Sequence, residues 1–257
     1  MRGSARCAVA LFALFAMNGC TVAGAIVAEK AADSMDSVEY EIAWIVHSMD
    51  GMTASVTPEE AANASAANAS NFWTDGCFMW AIDGPTITYT LTECSGPFGL
   101  AMVSGTVAIT YRDAGTSYGF DIVANDLTVH DTTVSFDVSA DVSTDGRNVS
   151  VTSSGSALGR RGHMLSRSGS YNLQWNGASM CAGIDRGSWE TVVEGDTFTT
   201  NVSNWRRCGA SCPGMGGSIS FSGPRSSVTL TFEGTRQATW TSDSGNSGTL
   251  PLFCTEG

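Results

Sequence analysis

The sequence predicts a mainly β protein, a multi-stranded antiparallel sheet in the form of a sandwich or a curved or open barrel, preceded by an N-terminal helical segment. Apolar and polar residues alternate without interruption in segments such as "TVSFDVSADVS", the pattern of a strand with one buried and one solvated face. Turn-forming pairs such as Asp145-Gly146 and Asn176-Gly177 separate these segments. No helical periodicity interrupts them after Trp73.

The first residues have the features of an export signal. Residues 1–6 carry two arginines and no acid, and residues 8–17 form an apolar run. The segment Met17-Asn18-Gly19-Cys20 resembles a bacterial lipobox, with Asn18 as its one departure from the pattern. The resemblance covers residues 1–20 only. It implies a lipoprotein signal peptide over residues 1–19 and lipid attachment, such as palmitate, at Cys20.

Two other interpretations of this region remain open. Ala23-Gly24-Ala25 has the form of an ordinary signal-peptidase site, which would discard Cys20. Residues 8–28 carry no charge and have about the length of an uncleaved membrane anchor. Following the lipoprotein resemblance, Thr21 lacks the aspartate associated with inner-membrane retention, which favours the outer membrane.

Residues 20–73 are predicted to be helical. Five apolar residues recur three or four positions apart and predict a helix over 25–52 whose apolar stripe is typical of a core face; they are Met35, Val38, Ile42, Ile45 and Met49. "TPEE" at positions 57–60 predicts a second helix start, because Thr57 and Glu60 form a capping box and Pro58 suits the first turn. Alanines extend this helix to about Phe72. The two helices are expected to form a stalk or a lid.

Residues 74–257 are predicted to form one disulfide-linked antiparallel β domain of roughly ten to twelve strands. The residues expected to face its interior include Phe136, Val138, Leu173, Leu230 and Phe232. Asp137, Asp141 and Asp145 alternate onto the opposite face. They are about 13 Å apart in successive pairs, too far to share a calcium ion, so we expect a solvated face.

Six cysteines remain once Cys7 and Cys20 are set aside, and an exported chain meets an oxidising compartment, so three disulfides are expected. The midpoint between Cys77 and Cys94 lies at Pro85-Thr86, just after Gly84, and that between Cys181 and Cys208 lies inside the turn Glu194-Gly195-Asp196. Each pair should therefore close a hairpin, leaving Cys212 and Cys254 to pair across the last strands. The alternative joins Cys208 to Cys212 and Cys181 to Cys254.

The third predicted bridge requires a particular sheet shape. Four strands in a flat meander would hold Cys212 and Cys254 about 14 Å apart, so the bridge needs a curled sheet. Zinc is the other use for close cysteines, but the three histidines show no ligand spacing with them. No metal and no cofactor are expected.

Charge excludes one class of partner. Two of the 13 basic residues and none of the 25 acidic ones lie in residues 1–19, so the remainder carries a formal charge of −14. Such a chain repels nucleic acid at long range. The exception is "GRRGHMLSR", in which Arg160, Arg161, His163 and Arg167 form a basic cluster. We expect an exposed loop there, or a contact for an anion or an acidic partner.

The sequence specifies location better than activity. It contains no nucleophile elbow, P-loop or dinucleotide fingerprint, which favours a non-enzymatic protein. The interpretation is a membrane-anchored bacterial envelope lipoprotein that binds an envelope partner or has a structural role. The alternative is a carrier or sensor of an apolar ligand held between the curved sheet and the helices. A packed interior favours the first and a large apolar cavity the second.

Overall fold

The computed structural model describes residues 16–50, 52, 56–98 and 100–254, with side chains of the first helix described from residue 23 onward. The helices are α1 (Ala16–Met49) and α2 (Pro58–Phe72). The strands are β1 (Phe78–Asp83), β2 (Thr86–Cys94), β3 (Val103–Asp113), β4 (Tyr118–Val129), β5 (Thr132–Val142), β6 (Asn148–Leu158), β7 (Met164–Asn176), β8 (Cys181–Val193), β9 (Asp196–Cys208), β10 (Ser218–Ser222), β11 (Ser227–Phe232), β12 (Gln237–Ser242) and β13 (Ser247–Pro251). A single 3-10 turn, Gly177–Ser179, joins β7 to β8.

All 13 strands form one antiparallel sheet in which spatial order follows chain order. The predicted fold class is confirmed, and the open sheet replaces the two-sheet sandwich that the sequence also allowed. Each strand pairs with its neighbours in sequence because every connection is a hairpin or a short loop. Burial alternates as predicted: in β5, Phe136 and Val138 are buried while Asp137 is exposed.

Bulges curve the first part of the sheet. The register shifts between Leu91 and Cys94, between Ser104 and Thr106, and between Ala124 and Leu127, at neighbouring positions of successive strands. A bulge adds an unpaired residue and bends its strand, so three in a row curl the sheet locally. Gly105 lies in this row at φ +129°, a conformation that residues with a Cβ rarely adopt.

Helix α1 lies inside the curved sheet. From Val27 to Met49 nearly every residue is buried, on all sides of the helix. The predicted apolar stripe is confirmed as core, and the opposite side of the helix is also covered, by strands from β4 to β13. The helix is therefore the centre of the hydrophobic core that it shares with the sheet, and it ends three residues earlier than predicted, at Met49.

Helix α2 covers the concave side of the first strands. It begins as predicted: Thr57 accepts a hydrogen bond from the backbone N–H of Glu60, whose carboxylate accepts one from the N–H of Thr57. Buried alanines on one face let it approach β2 and β3 closely. Its Ser65 hydroxyl lies 2.8 Å from the hydroxyl of Tyr89. The helix thus completes the core where α1 ends.

The three predicted disulfides are confirmed. Their Cα–Cα distances are 5.2 Å for Cys77–Cys94, 3.9 Å for Cys181–Cys208 and 4.9 Å for Cys212–Cys254. The first two close the hairpins β1–β2 and β8–β9. The third joins the loop before β10 to the residues after β13, and its short span shows that these last strands curl, as the bridge required.

Candidate functional site

A polar stripe runs along the otherwise apolar helix α1. Asp33, Ser37 and Glu41 are four residues apart, so they lie above one another on one face of the helix. All three are buried. Buried charges require partners, and the basic cluster of the β6–β7 hairpin supplies them.

Asp33 is the first node of this network. Its carboxylate accepts hydrogen bonds from the backbone N–H of Arg161 at 3.2 Å and from the guanidinium of the same residue at 3.0 Å. Nδ1 of His163 lies 2.9 Å from its other oxygen. The Arg161 guanidinium also bonds to Asp36 at 2.9 Å and to the carbonyl of Pro251 at 2.8 Å. One arginine thus joins helix α1, the β6–β7 turn and the end of β13.

Glu41 and Arg167 form the second node, a salt bridge whose side chains are 0% and 2% exposed. The Arg167 guanidinium also donates to the hydroxyl of Ser37 at 2.9 Å and to that of Ser153 at 3.1 Å. Burial lowers the pKa of Arg167 to about 10, so it stays charged at neutral pH. This pair holds α1 against β6 and β7.

Two further arginines, Arg207 and Arg160, contact side chains of the same helix. Arg207 of β9 forms a salt bridge with Glu39 and donates to the carbonyl of Ser211 at 2.9 Å. Burial raises the pKa of Glu39 to about 7, although the neighbouring Arg207 opposes this shift. Arg160 donates from Nε to the hydroxyl of Tyr40 at 3.1 Å and lies over the ring of Phe253.

The structure thus corrects the expectation for the basic cluster. Arg161, His163 and Arg167 point inward to the acids of α1, and Arg160 is half-buried against Tyr40, so the cluster's acidic partner belongs to the chain itself. Gly159 permits this approach, because a Cβ there would lie 2.3 Å from the carboxyl carbon of Asp33. Sequence reasoning missed the roles of Asp33, Glu39 and Glu41. For Asp33 and Glu41 the signal was the four-residue spacing of polar positions, shared with Ser37, on an apolar helix.

The buried network connects groups of this chain to one another. An Asp–His pair such as Asp33 with His163 is also part of hydrolase triads. Here the Asp33 carboxylate is fully buried and accepts from three donors of two residues. Its pairing links helix α1 to the β6–β7 hairpin, and the three donors that face it all belong to this chain.

The boundary between α1 and the last strands is closely packed. The pocket lined by Met35, Glu39, Leu230 and Phe232 has a volume of about 10 Å³. That is the space of a single water at most. The carrier interpretation placed an apolar ligand between the sheet and the helices, and at this boundary the two pack against each other.

The convex face of the sheet is a hydroxyl-rich surface. Side chains at paired positions form a polar row across nine strands, from β5 to β13: Ser139, Thr152, Ser170, Ser188, Asn201, Ser220, Thr229, Thr241 and Ser247. Its centre lies in a shallow groove of about 710 Å³ that also includes Asp141 and Arg186. Neighbouring strands place these hydrogen-bonding groups about 4.8 Å apart. The surface can exchange hydrogen bonds with a polar partner.

Cys20, the predicted lipidation residue, lies in the first turns of α1, and most of the predicted signal peptide, residues 1–15, lies outside the described residues. Four residues after Cys20, a Cβ at Gly24 would lie 2.8 Å from the ring of Trp240 on β12. The helix therefore enters the folded body within about one turn of Cys20. Among the described helices, none has the length and apolarity to cross a membrane.

The part of the chain that the structure describes contains no group of three or more His, Cys, Asp or Glu side chains that could hold a metal ion. Cys208 and Cys212, the close cysteines considered for zinc, are engaged in two different disulfides.

Comparison with protein-family models, with curated proteins and with solved structures finds no match to this chain.

Proposed function

We propose that this protein is a bacterial envelope lipoprotein, anchored by lipid at Cys20 to the outer membrane, with a non-enzymatic binding or structural role. The observation that carries the role is the position of α1. It fills the concave side of the sheet, and its buried acids Asp33 and Glu41, together with Glu39, are paired with strand and loop residues. What this arrangement offers a partner is its outer surface, which is polar and hydroxyl-rich.

Two features support the location. Three disulfides are typical of a protein that folds in an oxidising compartment outside the cytoplasm. The lipobox-like segment ends at Cys20, and Gly24 already packs near Trp240. Lipid on Cys20 would therefore hold the folded body close to the membrane surface without a long linker.

The carrier alternative requires space that the boundary between α1 and the last strands does not provide. The pocket there is about 10 Å³, whereas pockets for small ligands are on the order of 300 Å³ or larger. The observation therefore favours a partner bound on the outside over a ligand enclosed within.

We expect Cys20→Ser to move nearly all of the protein from the membrane to the soluble fraction of a Gram-negative host. Acyl chains bind a bilayer through about 0.8 kcal/mol for each buried methylene, and the variant lacks the thiol that carries them. Mass spectrometry of the wild-type N-terminal peptide should show an acylated cysteine. Cys7→Ser, inside the predicted signal, is the matched control and should stay in the membrane. A free N-terminus at Ile26 would contradict the proposal.

A further inference from the structure

Strand β1 is an open edge of the sheet, and alternate residues along it point their backbone N–H and C=O groups away from the sheet. In the described part of the chain it pairs with β2 alone. The N–H of Thr92 donates to the carbonyl of Cys77 at 2.9 Å, so Cys77 directs its backbone groups toward β2. Because this direction alternates along a strand, Phe78, Trp80 and Ile82 direct their N–H and C=O groups away from the sheet. These groups form a template for another strand.

The side chains of this edge are apolar. Phe78, Trp80 and Ile82 lie opposite Leu91, Tyr89 and Ile87 of β2, so they extend the core face of the sheet. The β2 residues are buried, yet Trp80 is 50% exposed and Phe78 and Ile82 are only half-buried. On the other face Met79 is 71% exposed.

The opposite edge, β13, is protected against such pairing. Pro251 ends the strand and has no N–H to donate. Its carbonyl accepts a hydrogen bond from Arg161 at 2.8 Å. Proteins protect sheet edges with such devices, and β1 carries none of them, with Asp83 at its end as its single charge.

We propose that β1 pairs with β1 of a second copy of this chain, antiparallel, with the two Trp80 side chains opposite each other. In this register Phe78 faces Ile82 of the partner subunit, and Met79 faces Ala81 of the partner subunit. The outward-pointing residues meet as hydrogen-bonded pairs and exchange about six backbone hydrogen bonds.

The strand sequence favours a second copy as the occupant because it is its own complement. A twofold axis through the Trp80 pair places apolar residues opposite apolar residues along both faces, and Asp83 opposite Cys77 of the partner subunit. Aromatic and aliphatic cross-strand pairs stabilise such a ladder. A shift by one residue would place the facing side chains on different sides of the sheet. The pairing depends on β1 alone and does not rest on the lipid anchor.

Sedimentation velocity on the full chain carrying Cys20→Ser, from micromolar to millimolar concentration, tests this proposal. We expect a monomer–dimer equilibrium. Trp80→Lys should raise its dissociation constant by at least about tenfold, since the twofold axis places two like charges opposite each other. The control Thr249→Lys adds the same charge to the exposed face of β13 and should leave the dissociation constant unchanged.

A second variant separates backbone pairing from nonspecific association of apolar side chains. Trp80→Pro removes an N–H that points away from β2, so the monomer should keep its disulfides and circular dichroism spectrum while dimerisation is lost. Met79→Lys, on the outer face, should weaken the dimer less than Trp80→Lys. A monomer at every concentration would overturn the proposal, as would a dimer that Thr249→Lys weakens and the Trp80 variants do not.

Discussion

Arg167→Ala is expected to lower the free energy of unfolding by about 3–5 kcal/mol, measured by denaturant unfolding at pH 7. The substitution leaves the Glu41 carboxylate buried without its cation, together with the hydroxyls of Ser37 and Ser153 that the guanidinium now bonds. Leaving one buried charge unpaired destabilises the folded state by more than the intact salt bridge stabilises it.

The double variant Arg167→Met with Glu41→Leu should recover most of this loss, because apolar residues of similar length remove both charges together. Arg112→Ala is the matched control. Arg112 lies 2.7 Å from Asp141, but both side chains are solvent-accessible, so we expect a loss of about 1 kcal/mol or less. A loss of that size for Arg167→Ala as well would show that its pair is not buried.

His47→Leu is expected to make the protein more resistant to acid. His47 is fully buried between aromatic rings, those of Trp44, Phe72, Trp73 and Tyr89, and neither ring nitrogen has a hydrogen-bond partner in the described structure. Burial lowers its pKa to about 3 from an ordinary value of 6.5. The unfolded chain therefore takes up a proton below pH 6.5 that the folded chain accepts only near pH 3, and stability falls across that interval.

Each pH unit between 6.5 and 4 lowers the free energy of unfolding by about 1.4 kcal/mol through His47. Between pH 7 and pH 4 wild type should therefore lose about 3 kcal/mol more of this free energy than His47→Leu. Glu39 acts in the opposite direction, since its raised pKa favours the folded state as pH falls from 7 to 4.5, and it does so equally in both proteins. The control Phe72→Leu alters the same cluster without removing the histidine and should keep the acid sensitivity of wild type. If the free energy of unfolding depended on pH equally in wild type and in His47→Leu, His47 would not be the source of the acid sensitivity.

Features with a local cause were predictable from the sequence. The capping box of α2 involves residues three apart, and the strands follow from a two-residue alternation. The first two disulfides follow from hairpins whose turns lie midway between the cysteines. In each case the interacting residues are neighbours in sequence or are made neighbours by one turn, so pattern and spacing determine the contact.

The position of α1 was not predictable in this way. The sequence predicted a stalk or a lid, yet Asp33 and Glu41 are buried against residues more than a hundred positions away in sequence. Only the curvature of the sheet brings His163 and Arg167 to them. For the same reason the basic cluster suggested an external acidic partner, because a sequence shows which charges are complementary but not that helix and hairpin meet.

The outer surface of the molecule keeps the acidic balance of the chain, because the buried network pairs basic residues with acidic ones in about equal number. Of the few basic residues, Arg161, Arg167 and Arg207 are used inside to neutralise the helix. The convex face is left with hydroxyls and carboxylates, with Arg186 in its central groove. A polar, uncharged or cationic partner fits this face better than an anionic one.

Hydrogen exchange of the backbone amides of α1 tests most directly whether the helix is the core of the sheet. We expect amides 31–49 to exchange as slowly as those of the central strands β5 to β8, because exposing them requires global unfolding. A stalk or lid would open on its own. If these amides exchanged orders of magnitude faster than the strands, the helix would not lie inside the sheet and the proposed function would lose its structural basis.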